Sequence, residues 1–224
     1  MLLQTNRKII FYIFFFILFA TLNNDNFLKF EFKEINQVKI YGLNDHEKFK
    51  LKKKLNLILS KNIFFLDKKE IQKILDNINV IDNYTIKKRY PSSLEIRINK
   101  TIFLANVYSK EKIFYLGSNG KLIETKQQKK DLINIFGQFD INSFFIFLKN
   151  VNDSKFELTE IKNLFFFKSG RWDLETNSGV LIKLPKNDLK DILDLSFKIL
   201  EKKKFNEVKI LDFRQKNQVI IDAK

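Results

Sequence analysis

The sequence predicts an α+β protein. It should carry an N-terminal single transmembrane helix, a small β-α-α-β-β domain, then a mostly antiparallel β domain with flanking helices. Three observations predict this. Ile9 to Leu22 (IIFYIFFFILFATL) is an uncharged apolar run preceded by Arg7 and Lys8. Residues 36–100 pass from apolar alternation to two helical periods and back. Beyond residue 100, short alternating segments recur between Gly, Asn and Ser turns.

The apolar run has fourteen residues, short of the about 20 that a full span needs. A cleaved signal peptide would want small residues before its cleavage site, and only Ala20 qualifies. A core helix would want one polar face, and this run is bulky and apolar all round. A short signal anchor, extended by Leu2, Leu3 and snorkelling ends, fits the pattern best. The basic residues stand on its N-terminal side. That asymmetry keeps residues 1–8 in the cytoplasm as a tail. The anchor and linker occupy residues 9–26, and the chain from residue 27 onward is exported.

The exported part has the means to build a core. Hydrophobic residues make up 45% of the chain and aromatics 14%, with Phe alone at 25. Pro at 2 and Gly at 6 exclude a low-complexity stalk. Cys is 0, which excludes disulfides, thiol catalysis and Cys-ligated metal. The formal charge is +15, from 41 basic and 26 acidic residues. Such a charge favours acidic partners, yet the clusters at 52–54, 87–89, 129–130 and 202–204 are short and scattered. They are not interleaved with aromatics as a base-stacking surface is, so no nucleic acid is expected. A compositional bias is the better account of the excess, with a headgroup contribution open near the anchor.

The elements run in order along the chain. Asn36 to Gly42 reads as a strand with Val38 and Ile40 on one face. Phe49, Leu51, Leu55, Ile58 and Leu59 then fall near helical spacing. Asp67 with Glu70 has the form of a capping box, and Ile71, Ile74, Leu75 and Ile78 come next as a helical stripe. Val80 to Tyr90 is a strand ended by Pro91. Leu94, Ile96 and Ile98 alternate with Glu95, Arg97 and Asn99, which predicts one wet face. Ile113–Leu116 and Lys121–Glu124 form a hairpin about Gly117-Ser118-Asn119-Gly120. Phe144–Leu148 and Leu158–Phe167 are ambiguous between helix and strand. Residues 171–175 and 180–184 are strands about Asn177-Ser178-Gly179. Pro185 opens a helix through Leu189, Ile192, Leu193, Ser196 and Leu200. Strands at Val208–Phe213 and Asn217–Asp222 close the chain.

No catalytic constellation is present, and no enzyme, cofactor or metal site is expected. His46 is the single histidine and has no Cys or second His to complete a site. No P-loop or GxSxG elbow occurs, and no carboxylate stands in a strongly apolar setting. Function must then lie in surfaces. The last strand is a candidate sheet edge, open to a partner strand through main-chain hydrogen bonds, or an ordinary strand guarded by Lys216 and Lys224.

Six pieces in order resemble the FtsQ family of cell-division proteins, called DivIB in some bacteria. Val38-x-Ile40-x-Gly42 is similar to the opening strand of that family's POTRA domain. Ile63-Phe64-Phe65-Leu66-Asp67 is similar to the approach to its second helix. Val80 with Tyr84-x-Ile86-x-x-x-Tyr90-Pro91-x-x-Leu94-x-Ile96 resembles its hairpin. Gly120-Lys121-Leu122-Ile123 resembles the turn after the domain. Arg171-Trp172-Asp173-Leu174 with Gly179, Val180 and Leu184-Pro185, then Asp212-Phe213-Arg214, resemble the β domain. The sequence departs from the family's habit at Tyr90, Lys100, Phe103 and Gln215.

The resemblance implies a POTRA domain at 35–104 and an FtsQ-type β domain at 105–224. It implies a non-enzymatic scaffold of the inner membrane at the division septum, with its C-terminal domains periplasmic. The implied partners are FtsB and FtsL, with other division proteins. FtsB is expected to add as a strand along Arg214, Gln215, Asn217, Gln218, Val219, Ile220 and Ile221. Arg214 is then the donor to a partner carboxylate. The hairpin around Ile86 and Lys88 is a second recruitment surface. A transport protein guiding β-strand clients would need repeated POTRA units or a barrel. A secreted cationic binder would need cleavage near residue 21.

Overall fold

The computed structural model describes residues 2–22, 34–202, 208–216 and 218–223, with side chains for all of these except residues 2–6 and 22. Residues 23–26 of the expected linker and Asn217 of the expected edge lie outside the described residues. The chain divides into two compact units, Met1–Ile74 with Thr85–Arg97, and Leu75–Tyr84 with Ile98–Lys224.

The first helix, α1, runs Leu2–Leu22. Its apolar residues from Ile9 to Phe19 are exposed on every face. Among the described residues, no helix is long and apolar enough to cross a membrane. The spanning helix expected from the sequence is therefore not found. The apolar run of fourteen residues covers about 21 Å at 1.5 Å each, against a hydrocarbon core of about 30 Å.

Five elements come next: β1 (Gln37–Tyr41), α2 (Asp45–Leu59), α3 (Lys68–Asp76), β2 (Ile81–Arg89) and β3 (Ser93–Lys100). The three strands form one sheet in the order β1-β3-β2. β1 runs parallel to β3, with Val38 opposite Leu94 and Ile40 opposite Ile96. Ile40, Leu51, Leu55, Ile71, Leu94 and Ile96 are buried. Each fully buried side chain of this size contributes about 1.5–3 kcal/mol relative to exposure.

Three local expectations are corrected here. The reciprocal capping box belongs to α2: Asn44 Oδ1 accepts from the Glu47 amide and Glu47 Oε2 from the Asn44 amide, both at 2.9 Å. At α3, Asp67 accepts from the Lys69 amide at 3.0 Å, while the Glu70 carboxylate takes Lys61 Nζ at 2.7 Å. Phe49 faces outward, because at 100° per residue it stands about 180° from the buried Ile58. On the outer face of β3 Arg97 and Asn99 are exposed as expected, but Glu95 is covered. Its side chain is 10% exposed and lies between Arg97 Nε at 2.7 Å and Arg89 Nε at 3.0 Å. Hydrogen bonds from Arg97 and then Arg89 hold its carboxyl below the usual 4.5, against desolvation.

The second unit is organised by a nine-stranded mixed sheet. Its strands are β4 (Phe103–Ser109), β5 (Lys112–Gly117), β6 (Leu122–Thr125), β7 (Ile133–Phe136), β8 (Ile161–Phe166), β9 (Trp172–Thr176), β10 (Leu181–Lys183), β11 (Val208–Asp212) and β12 (Ile220–Ala223). They lie in the order β12-β11-β10-β9-β8-β7-β4-β5-β6. The parallel pairs are β4 with β7, β7 with β8, and β10 with β11; the others are antiparallel. Helix α4 (Ile141–Asn152) connects β7 to β8 and α5 (Leu189–Leu200) lies between β10 and β11. Crossover helices are the usual way to make a strand return parallel.

The ambiguous segment 144–148 is helical because Asp140 caps it, its Oδ1 accepting from the Ser143 amide at 3.0 Å. Segment 158–167 is a short 3-10 turn at Leu158–Glu160 followed by β8. The helix expected at Pro185 begins only at Leu189. Phe144, Phe147, Leu193, Trp172, Leu164 and Ile182 share one core. Trp172 anchors it, its ring centroid 4.7 Å from that of Phe166 and 5.5 Å from that of Phe147.

The sheet's other face carries two ladders across neighbouring strands. Asn106 Nδ2 donates to Asn134 Oδ1 at 3.0 Å, Asn134 Nδ2 to Asn163 Oδ1 at 3.0 Å, and Asn163 Nδ2 to Glu175 Oε2 at 2.7 Å. One step along the strands, Tyr108, Phe136 and Phe165 stack at 4.8 and 5.3 Å. The turn predicted at 117–120 also ties residues 79–81 to the rest of this unit. Asn119 Nδ2 donates to the Asn79 carbonyl at 2.9 Å and the Ile81 carbonyl at 2.8 Å.

Candidate partner-docking edge

The site begins with β11. Leu211 is fully buried and Phe213 nearly so, and the Phe213 amide donates to the Lys183 carbonyl at 2.9 Å. These contacts fix β11 beside β10. The chain reverses and returns as β12, antiparallel to β11, with Leu211 opposite Ile221 and Asp212 opposite Ile220. β12 terminates the nine-stranded sheet. A terminal strand has one side of its main chain without a strand partner.

The sequence-predicted residues divide by this geometry. Arg214, Gln215 and Gln218 are exposed, Ile220 is 49% and Ile221 37% exposed, and Val219 packs partly against the core. They form one continuous corner and edge. Ile86 stands apart: it is buried on β2, its side chain part of the interior because Tyr84, Ile86 and Lys88 alternate with outward Thr85 and Lys87. Lys88 is half-buried, its Nζ 3.4 Å from the Phe64 carbonyl.

Arg214 is already engaged. Its Nε lies 2.8 Å from Asp212 Oδ1, its Nη2 2.5 Å from Oδ2, and its amide 3.0 Å from Oδ1. The Arg214 side chain holds the Asp212 carboxyl below its usual 3.8, although burial works against this. Reciprocally, Asp212 raises the Arg214 guanidinium. Arg214 is therefore a fixed, half-exposed cation and not a free arm.

Sequence reasoning missed a groove beside this corner on the ladder-bearing face, lined by Phe165, Phe167, Arg171, Asp173, Lys183 and Arg214 among others. Arg171 repeats the Arg214 arrangement. Its Nε is 3.0 Å from Asp173 Oδ1, and its guanidinium lies 4.5 Å from the centre of the Phe167 ring. The Arg-x-Asp and Asp-x-Arg spacings were the signal, since residues two apart on a strand share a face. Among the described residues, no group of three His, Cys, Asp or Glu is placed to hold a metal ion.

The β-α-α-β-β unit with its three-stranded sheet is a POTRA domain: residues 33–100 match the family described as "POTRA domain, FtsQ-type". The match spans under a third of the chain and marks this domain as similar to the FtsQ type. No curated protein matches the chain. Among solved structures, the major extracytoplasmic domain of the trans isomer of DivIB from Geobacillus stearothermophilus is 18% identical. The alignment covers 42% of this chain and 87% of that one, with a TM-score of 0.34, so it adds nothing to the family match.

Proposed function

We propose that this protein is a non-enzymatic, membrane-anchored scaffold of the division machinery that accepts a strand of FtsB at β12 and binds FtsL with it. The observation that carries the reading is the place of β12, exposed along its length at the end of the sheet. Strand addition satisfies main-chain groups that otherwise face water, and Ile220 and Ile221 offer apolar contacts on alternate faces. Arg214 contributes orientation more than affinity, because an exposed ion pair is worth about 0–1 kcal/mol. The POTRA hairpin offers a second surface through Lys88 and its outward neighbours, with Ile86 acting as support.

The anchoring part of the proposal rests on α1. Its apolar residues are exposed on every face, and Arg7 and Lys8 suit the cytoplasmic interface. Local thinning of the bilayer and snorkelling ends accommodate the short run. On this reading the POTRA domain at 35–104 and the β domain at 105–224 lie in the periplasm.

The test is a titration of the full chain in detergent micelles with the periplasmic segment of FtsB from the same organism. Saturable binding, lost when residues 215–224 are removed, is the expected result. Undiminished binding by the truncated chain would place the contact elsewhere.

A further inference from the structure

We propose that the outward face of α2 binds the headgroups of anionic phospholipid. Phe49, Lys53 and Leu57 stand at i, i+4 and i+8 and form one stripe, with Lys50 and Lys54 beside it. The opposite face, Leu51, Leu55 and Ile58, is buried. Phe49 is 69% and Leu57 87% exposed, and Lys50, Lys52, Lys53 and Lys54 are all exposed.

The charge on this face is one-sided. From Lys48 to Leu66 the chain has six Lys and no Asp or Glu. The helix's two acidic residues are confined to its first turn, where Asp45 meets Lys48 at 3.1 Å and Glu47 completes the cap. Among the described residues, no carboxylate pairs with Lys50, Lys52, Lys53 or Lys54. Water alone accounts for the lysines and leaves Phe49 and Leu57 unexplained. A bilayer interface stabilises both kinds of side chain: the rings and methyls at the acyl boundary, the ammonium groups at the phosphates.

The occupant is set by charge and tethering, and this step rests on the membrane placement of α1 proposed above. Residues 23–44 reach at most about 75 Å even fully extended, so α2 stays near the bilayer that holds α1. Such a tether raises the effective concentration of headgroups and makes individually weak lysine contacts count.

The chain contains no Cys, so single labels are clean. Leu57→Cys, and Lys149→Cys on α4 as control, would carry an environment-sensitive fluorophore. The full chain is reconstituted in vesicles of phosphatidylcholine, or of phosphatidylcholine with one-third phosphatidylglycerol, each with a lipid-borne quencher. The expected result is quenching at position 57 at least about threefold greater with phosphatidylglycerol, absent at position 149. Molar salt and the triple change Lys50→Glu, Lys53→Glu, Lys54→Glu should both remove it. Equal quenching on both lipids, or quenching that survives the triple change, overturns the proposal. An unchanged urea midpoint shows that the triple variant is folded. Failure to float with phosphatidylcholine alone would count against the α1 anchor, and the comparison on phosphatidylglycerol vesicles would still decide the role of α2.

Discussion

Asp212 shows how one residue links the core to the edge. Its carboxylate is buried, yet Arg214 holds its pKa below the usual value. A carboxyl depressed in the folded state contributes stability above its unfolded pKa and loses it as pH falls through the folded one. Asp212→Asn should therefore lower stability by about 1 kcal/mol at neutral pH. The gap between variant and parent should be smaller at pH 3 than at neutral pH, because the contribution declines once the pH falls below the ordinary 3.8 toward the depressed folded value. Urea unfolding at the two pH values checks this. Asn106 is more costly to lose. It is fully buried, donates to the Lys129 carbonyl at 2.8 Å and accepts from the Lys129 amide at 3.0 Å. Asn106→Leu orphans those groups and should cost about 3 kcal/mol. At Gly137, φ is +101°, and an added Cβ would collide with the Phe166 carbonyl oxygen. Gly137→Ala should cost about 2 kcal/mol by the same measurement.

At the scale of elements, α2 separates structure from surface. Leu55 is fully buried and Phe49 is not. Leu55→Ala should cost about 2–5 kcal/mol, whereas Phe49→Ser should stay within about 0.5 kcal/mol. Thermal unfolding of the two variants gives the contrast. β12 is similarly separable: among the described residues it pairs only with β11, at the end of the sheet. Removal of residues 215–224 should leave the POTRA transition in a denaturant titration where it was, while the β unit loses stability and partner binding.

For the whole molecule, the prediction concerns how the chain is held. If α1 anchors it, the full chain should resist alkaline extraction from membranes, and a chain lacking residues 1–22 should be released. Loss of Arg7 and Lys8 lowers the formal charge from +15 to +13, and the released form should retain only salt-sensitive association with anionic vesicles, because exposed charges are screened within about 10 Å at 0.1 M salt.

Much of this was legible in the residues. The order strand, helix, helix, strand, strand was written in the periods of 36–100, and the hairpin about Asn119-Gly120 in its turn residues. β4 was not legible. Ala105, Asn106 and Val107 are all buried, so this interior strand shows no alternation to read. The ambiguity of 144–148 had the same origin, since short apolar runs suit helix and strand alike. By itself, the sequence determined the local periods, the turns, the one-sided charge of α2 and the apolar first helix, because these depend on neighbours a few residues apart. The tertiary structure alone decided which strand ends the sheet, that Ile86 turns inward, that Arg89 and Arg97 cover Glu95, and that Arg214 is held by Asp212. Those outcomes depend on which distant segments pair, and a local pattern carries no record of its partner across the sheet.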